Sequence, residues 1–96
     1  MAGTKTHEQT ETTTKTRKAR PWKVIVHDDP VTLMSYVTQA LREIFGYGQQ
    51  KAHKLMMTVH EKGKAIVWTG ARERAEIYTA KLQARHLLTT LEQVED

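Results

Sequence analysis

The sequence predicts an α+β fold with elements in the order β-α-α-β-α-β, a two-layer sandwich of one three-stranded sheet carrying three helices on one face. Two observations support it. Two β-branched runs and a third, short alternating one are separated by apolar stripes at three- and four-residue spacing, which are the signatures of strand and helix. Apart from Gly3, the glycines fall at the joints between these runs and not inside them. No internal repeat is present, and 96 residues leave no room for two domains around an enclosed cleft.

Trp22-Lys23-Val24-Ile25-Val26 is aromatic and β-branched, a strand buried on at least one face, and His27-Asp28-Asp29-Pro30 ends it. Asp29 before Pro30 predicts a helix start: the carboxylate can accept from free N–H groups, and proline stands where no N–H is needed. Val31, Met34, Val37, Leu41 and Phe45 give that helix its apolar stripe, and Gly46 stops it. A second helix is expected from about Gln49 to Glu61, with Ala52, Leu55, Met56 and Val59 inward and Gly63 closing it. Lys64 to Thr69 reads as a strand, with Gly70 as the break after it. The third helix is expected over about Arg72 to Arg85, with Ala75, Tyr78 and Leu82 inward and Ala71 a further candidate. The last strand, from about Leu88 to Val94, places Leu87, Thr89 and Leu91 on one face and Leu88, Thr90 and Glu92 on the other. Periodicity does not give the order in which the strands pair.

Composition divides the chain. Residues 2–20 contain no Val, Ile, Leu, Phe, Trp or Tyr and hold seven threonines, so 1–20 is expected to be a disordered N-terminal extension and 21–96 the folded domain. Charge divides it too: five Lys and Arg against two Glu in residues 1–20, but ten basic against nine acidic residues in 21–96. The basic excess therefore belongs to the extension, which argues against a domain built to hold nucleic acid, a role in which phosphate-binding charge would sit on the folded face. Cysteine is absent, which removes disulfides, thiolate metal sites and Cys nucleophiles together. No apolar run approaches the ~18 residues of a membrane span, and no secretory signal is visible; a cytoplasmic protein is expected.

One constellation carries binding chemistry if the first two helices pack along their stripes. Asp28 and Asp29 lie at the entrance of the first helix, and His60 is one turn beyond Met56 on the second. Met34 with Val37, and Met56 with Val59, would make an apolar depression with an acidic rim. That suits a primary ammonium attached to a bulky apolar side chain. An ammonium has three donors and no acceptor, so it needs several convergent acceptors, and thioethers adapt to irregular apolar shapes. The α-amino end of a peptide that begins with a large hydrophobic residue meets both conditions. Each residue also has a plainer role open to it: Asp29 as a helix cap, the Met and Val stripes as core, His60 as a complement to the helix dipole.

Other chemistries are less well served. Ser35, the only serine, could formally join His60 and Asp29, but it falls inside a predicted helix with no nucleophile elbow, and no enzyme is expected. His27, His53, His60 and Asp28 show no strong metal-ligand spacing, and no cofactor is expected.

Trp22-Lys23-Val24-Ile25-Val26, Asp28-Asp29-Pro30, Met34-Ser35-Tyr36-Val37, Leu55-Met56-Met57-Thr58-Val59-His60, Gly63-Lys64-Ala65 and Leu87-Leu88-Thr89-Thr90-Leu91-Glu92, in this order, resemble ClpS, the adaptor family of bacterial Clp proteases, in its actinobacterial form. A similar fold occurs in the C-terminal domain of a ribosomal stalk protein, which lacks this acidic and His set; a small nucleic-acid- or ribosome-associated module is the alternative. The resemblance implies an adaptor that binds N-degron proteins with a free α-amino group and a first residue Leu, Phe, Tyr or Trp. It would hand them to the N-terminal domain of a ClpA- or ClpC-type AAA+ unfoldase, acting as a monomer. It implies Asp28, Asp29 and His60 as amine ligands and a pocket of Thr32, Met34, Val37, Met56, Val59 and Leu87, with Met34 as gatekeeper against β-branched first residues. Glu73 would be a docking residue for the unfoldase, and the N-terminal extension would serve delivery. The sequence departs from the commoner family pattern at Asp28, where many members have Asn, at Pro30, where many have a third acid, and in a shorter third-helix region.

Overall fold

The computed structural model describes residues 20–95, so the expectation of a disordered extension over 1–20 falls almost wholly outside the described residues. Six elements follow in the expected order: β1 (Trp22–His27), α1 (Met34–Phe45), α2 (Gln49–Lys62), β2 (Lys64–Gly70), α3 (Arg72–Ala84) and β3 (Thr89–Gln93). The three strands form one antiparallel sheet in the order β2-β1-β3. The first strand is thus the central one, and β2 and β3 are both edges.

Alternation along β1 sets the two layers. Val24 and Val26 are sealed and join one cluster with Val37, Ala40 and Leu41 of α1, Ala52, Met56 and Val59 of α2, and Ala75 and Leu82 of α3. All three helices therefore cover the same face. Leu41, Leu82, Val24 and Val26 are the largest fully buried side chains, each stabilising the domain by about 1.5–3 kcal/mol through removal from water. Ile25 points to the other face, between its registered neighbours Ile66 and Thr90.

A bulge interrupts the β1–β2 ladder. Val24 pairs with Trp68 and Ile25 with Ile66, which leaves Val67 without an opposite residue. The extra residue puts Val67 and Trp68 on the helix-covered side together, and the Val67 carbonyl accepts a 2.7 Å hydrogen bond from the Tyr47 hydroxyl. Burial pushes the Tyr47 hydroxyl pKa up, with the nearby Tyr78 a smaller contributor.

The glycine stops fall where the sequence places them. Gly46 and Gly63 both adopt left-handed backbone, φ 74° and 89°, and return their N–H groups to Arg42 and Val59. The start of α1 differs from the expectation. Asp29 and Pro30 do not open the helix; they open a turn, in which the Thr32 N–H bonds the Asp29 carbonyl at 3.3 Å. The helix begins at Met34 with Leu33 as its cap. An Asp-Pro pair suits the first two positions of a turn as well as a helix start, and here the turn wins because the Asp29 carboxylate accepts from the Val31 N–H at 2.9 Å. Val31, expected in the helix stripe, is consequently 86% exposed. On α3 the inward positions are Ala75, Thr79 and Leu82, with Tyr78 half-buried and Ala71 exposed. At the far end of the sheet the Val94 N–H bonds the Pro21 carbonyl at 2.9 Å, closing β3 against the entry to β1.

Candidate functional site

The end of β1, the following turn, the first turns of α1 and the last turn of α2 meet at one end of the sandwich. There the Asp28 N–H donates to the Gly63 carbonyl at 2.8 Å, which fastens the acidic turn to the point where α2 becomes β2. The depression that results is lined by Asp28, Asp29, Thr32, Met34, Val37, Met56, Val59, His60 and Leu87, together with Val26, His27 and Leu88. Every residue expected at the amine end and in the apolar pocket is therefore in one place. Glu73 is not among them; it lies in the first turn of α3, exposed, and away from this depression.

The chemistry is graded from rim to floor. Val37, Met56, Val59 and Leu87 are buried, while Met34 is 38% exposed at the lip. Among the described residues, the Asp28 carboxylate and the His60 imidazole make no hydrogen bond, and both are exposed. Asp29 is committed differently: one carboxylate oxygen takes the Val31 N–H and the other takes the Thr32 hydroxyl at 3.4 Å. A carboxylate has about four lone-pair sites, so Asp29 can shape the turn and still accept from a ligand.

His27 lines the depression, but its Nε2 bonds the Thr90 hydroxyl at 2.7 Å on the uncovered face of the sheet. Ser35 and His53 line a different hollow, with Thr38, Gln39, Gln49 and Met56, so Ser35 is not assembled with Asp29 and His60 into a triad. Among the described residues no group of three or more His, Asp or Glu is placed to hold a metal ion, and no helix is long and apolar enough to cross a membrane.

A further wall of the depression is the short connector between α3 and β3. His86 adopts left-handed backbone with φ 66°, and the Leu87 N–H reaches back to Leu82 at 3.1 Å, which turns Leu87 into the depression. Two side chains of α1 hold this connector: the Tyr36 hydroxyl donates to the Arg85 carbonyl at 3.0 Å, and Glu43 pairs with the Arg85 guanidinium. The Gln39 amide and then Arg85 keep the Glu43 carboxyl below the usual carboxylate range. Sequence reading did not find Tyr36 or Glu43, nor Val26, His27 and Leu88 as lining. The spacing of Tyr36 one residue before Val37 marks it as off the stripe, and only the fold shows that this side of α1 faces the connector.

Comparison with known proteins bears on the family and the fold. The family model described as "ATP-dependent Clp protease adaptor protein ClpS" matches residues 17–92. The chain is 45% identical over 85 residues to the ClpS adapter protein of Mycobacterium marinum, covering 88% of this chain and 84% of that one. It is 51% identical over 73 residues to the ClpS adapter protein of Streptomyces coelicolor, covering 76% of each. Among solved structures, ClpS2 of Agrobacterium tumefaciens bound to L-phenylalaninamide superposes with a TM-score of 0.74 at 26% identity, over 79% of this chain and 99% of that one. The order of elements, the three-stranded antiparallel sheet and the extent of the match agree in one conclusion: the chain belongs to the ClpS family of ATP-dependent Clp protease adaptors.

Proposed function

We propose that the depression holds the free N-terminus of an N-degron substrate, with the α-ammonium at Asp28, Asp29 and His60 and the first side chain among Thr32, Met34, Val37, Met56, Val59 and Leu87. The observation that carries the reading is the grading of the site: acceptors at the rim, two of them without partners among the described residues, directly above a floor of buried aliphatic and thioether groups. The solved relative bound to L-phenylalaninamide supports it, because that ligand is itself a free α-amine beside an apolar side chain.

The enclosed part of the depression measures about 20 Å³, room for roughly one water. A Leu or Phe side chain therefore enters by displacing Met34 and Met56, whose unbranched thioethers rearrange at little cost. A first residue branched at Cβ crowds Met34 at the lip and is disfavoured. As a cytoplasmic monomer, the domain would then present the bound substrate to a ClpA- or ClpC-type unfoldase, docking on that partner's N-terminal domain with Glu73 among the contacts.

The test is a titration with peptides that differ only at the N-terminus. Free-amino Leu- and Phe-initiated peptides bind, and acetylated or Val-initiated ones bind at least about tenfold more weakly, the loss of one charge-assisted hydrogen bond or more. Equal affinity for the acetylated peptide would overturn the assignment.

A further inference from the structure

At the end of the domain away from the acidic depression lies a second, larger cleft of about 540 Å³. Its walls are a run of four aromatic rings. Tyr47 stacks on Phe45 at 5.0 Å between centroids, Phe45 meets Tyr78 at 4.6 Å, and Tyr78 meets Trp68 at 5.0 Å. The rings are all half-buried and all line the cleft. Gly70 makes the arrangement fit: a Cβ there would strike the Trp68 indole, which lies across the strand.

Two cations border these rings. The Lys51 ammonium sits 4.0 Å from the Tyr47 centroid, and the Arg74 guanidinium lies 5.6 Å from Trp68 and 5.7 Å from Tyr78 while donating to the Tyr78 hydroxyl. No acidic residue lines the cleft. Among the described residues the ion pairs are Arg72–Glu76 and Arg85–Glu43, so neither Lys51 nor Arg74 has a carboxylate partner. The floor is β2, from Ile66 to Thr69, an edge strand with one side of its backbone unpaired in the sheet.

We propose that this cleft is a docking site for an extended acidic peptide segment of a partner protein, laid against the edge of β2. Main-chain hydrogen bonds to the strand edge would set its register, apolar or aromatic side chains would lie on the ring wall, and carboxylates would reach Lys51 and Arg74. Single-stranded nucleic acid, which also favours aromatic rings and cations, is the weaker occupant. Two cations are few for a phosphate backbone, residues 21–96 hold ten basic against nine acidic side chains, and a strand edge has no counterpart on a sugar-phosphate chain. The sites have opposite polarity and share no lining residue, so both can be filled at once.

Amide and indole NMR of the full chain, titrated with N-acetylated and C-amidated hexapeptides, tests this. One hexapeptide alternates Phe with Glu and the other Phe with Gln; blocked termini keep both out of the amine site. The Glu peptide shifts the Trp68 indole and the Ile66–Thr69 amides, and the Gln peptide binds about tenfold more weakly, as expected for losing charge-assisted contacts. Lys51→Gln and Arg74→Gln each weaken the Glu peptide, and Lys51→Gln keeps the test sound if loss of Arg74 disturbs the rings. Asp28→Ala, which removes an acceptor from the other site, leaves this affinity unchanged. Equal binding of the two peptides, shifts centred on Asp28 and His60, or stronger shifts at Trp68 from oligouridylate than from the Glu peptide would each overturn the proposal.

Discussion

Asp28 and Asp29 are neighbours with different obligations, and replacing them one at a time separates binding from folding. The Asp28 carboxylate has no hydrogen-bond partner among the described residues, whereas Asp29 accepts from the Val31 N–H at 2.9 Å and from the Thr32 hydroxyl. If both hold the substrate ammonium, each replacement by Ala removes at least one charge-assisted hydrogen bond. That is worth about 1.5–3 kcal/mol, or about 12- to 150-fold in Kd. Only Asp29→Ala also removes bonds that shape the turn. A single well-formed bond there contributes about 1 kcal/mol, which for a domain of this size lowers the melting temperature by about 4–8 °C. Fluorescence anisotropy with a labelled Leu-initiated peptide and thermal unfolding of the same samples measure both quantities. The expected pattern is a large affinity loss for both variants with a melting shift for Asp29→Ala alone. Asp28→Ala binding within twofold of the parent would refute the role of Asp28 in holding the amine.

Further outcomes follow from the same contacts. Tyr47→Phe strands the carbonyl of the bulged Val67 and costs about 1–3 kcal/mol in denaturant unfolding, whereas a loss below about 0.3 kcal/mol would mean that water replaces the hydroxyl. Gly70→Ala forces the Trp68 indole off the strand; a lowered melting temperature together with a changed Trp68 indole resonance is expected, and an unchanged resonance would refute the packing. Tyr36→Phe frees the connector that carries Leu87, so affinity for a Trp-initiated peptide rises relative to a Leu-initiated one, and a constant ratio argues that Leu87 is held without it. The Glu43 carboxyl is kept below the usual range in the folded state, so its pairing is intact above the ordinary carboxylate value of 4.5 and is lost as pH falls below it. Glu43→Gln should therefore flatten the acid limb of the stability profile, and an unaltered limb would assign acid sensitivity to other groups.

How far the chain could be read depended on whether one element or several decide the outcome. Val24 and Val26, the α2 stripe and the stops at Gly46 and Gly63 are local consequences of periodicity and backbone freedom, and all stand where the pattern puts them. The start of α1 failed because Asp-Pro satisfies two local geometries, and the choice between them rests on which N–H groups the Asp29 carboxylate meets. The central place of β1 and the bulge at Val67 are pairings between distant segments, invisible to any window along the chain. The site divides in the same way. Residues on the stripes of two packed helices could be named from spacing, and resemblance added Thr32 and Leu87. Tyr36 could not be named, because its importance comes from a connector forty-nine residues away.

The antiparallel sheet has a practical consequence for handling the protein. β1 runs from Trp22, next to Pro21 with its tie to Val94, to His27 beside the acidic turn at the other end. Six extended residues separate the two ends by roughly 20 Å, with the helical layer alongside. A tether, bead or fluorescent fusion joined at Pro21 in place of residues 1–20 thus starts at the end of β1 away from the acidic mouth. Immobilised this way, the protein should serve as an affinity matrix for sorting peptides by their first residue.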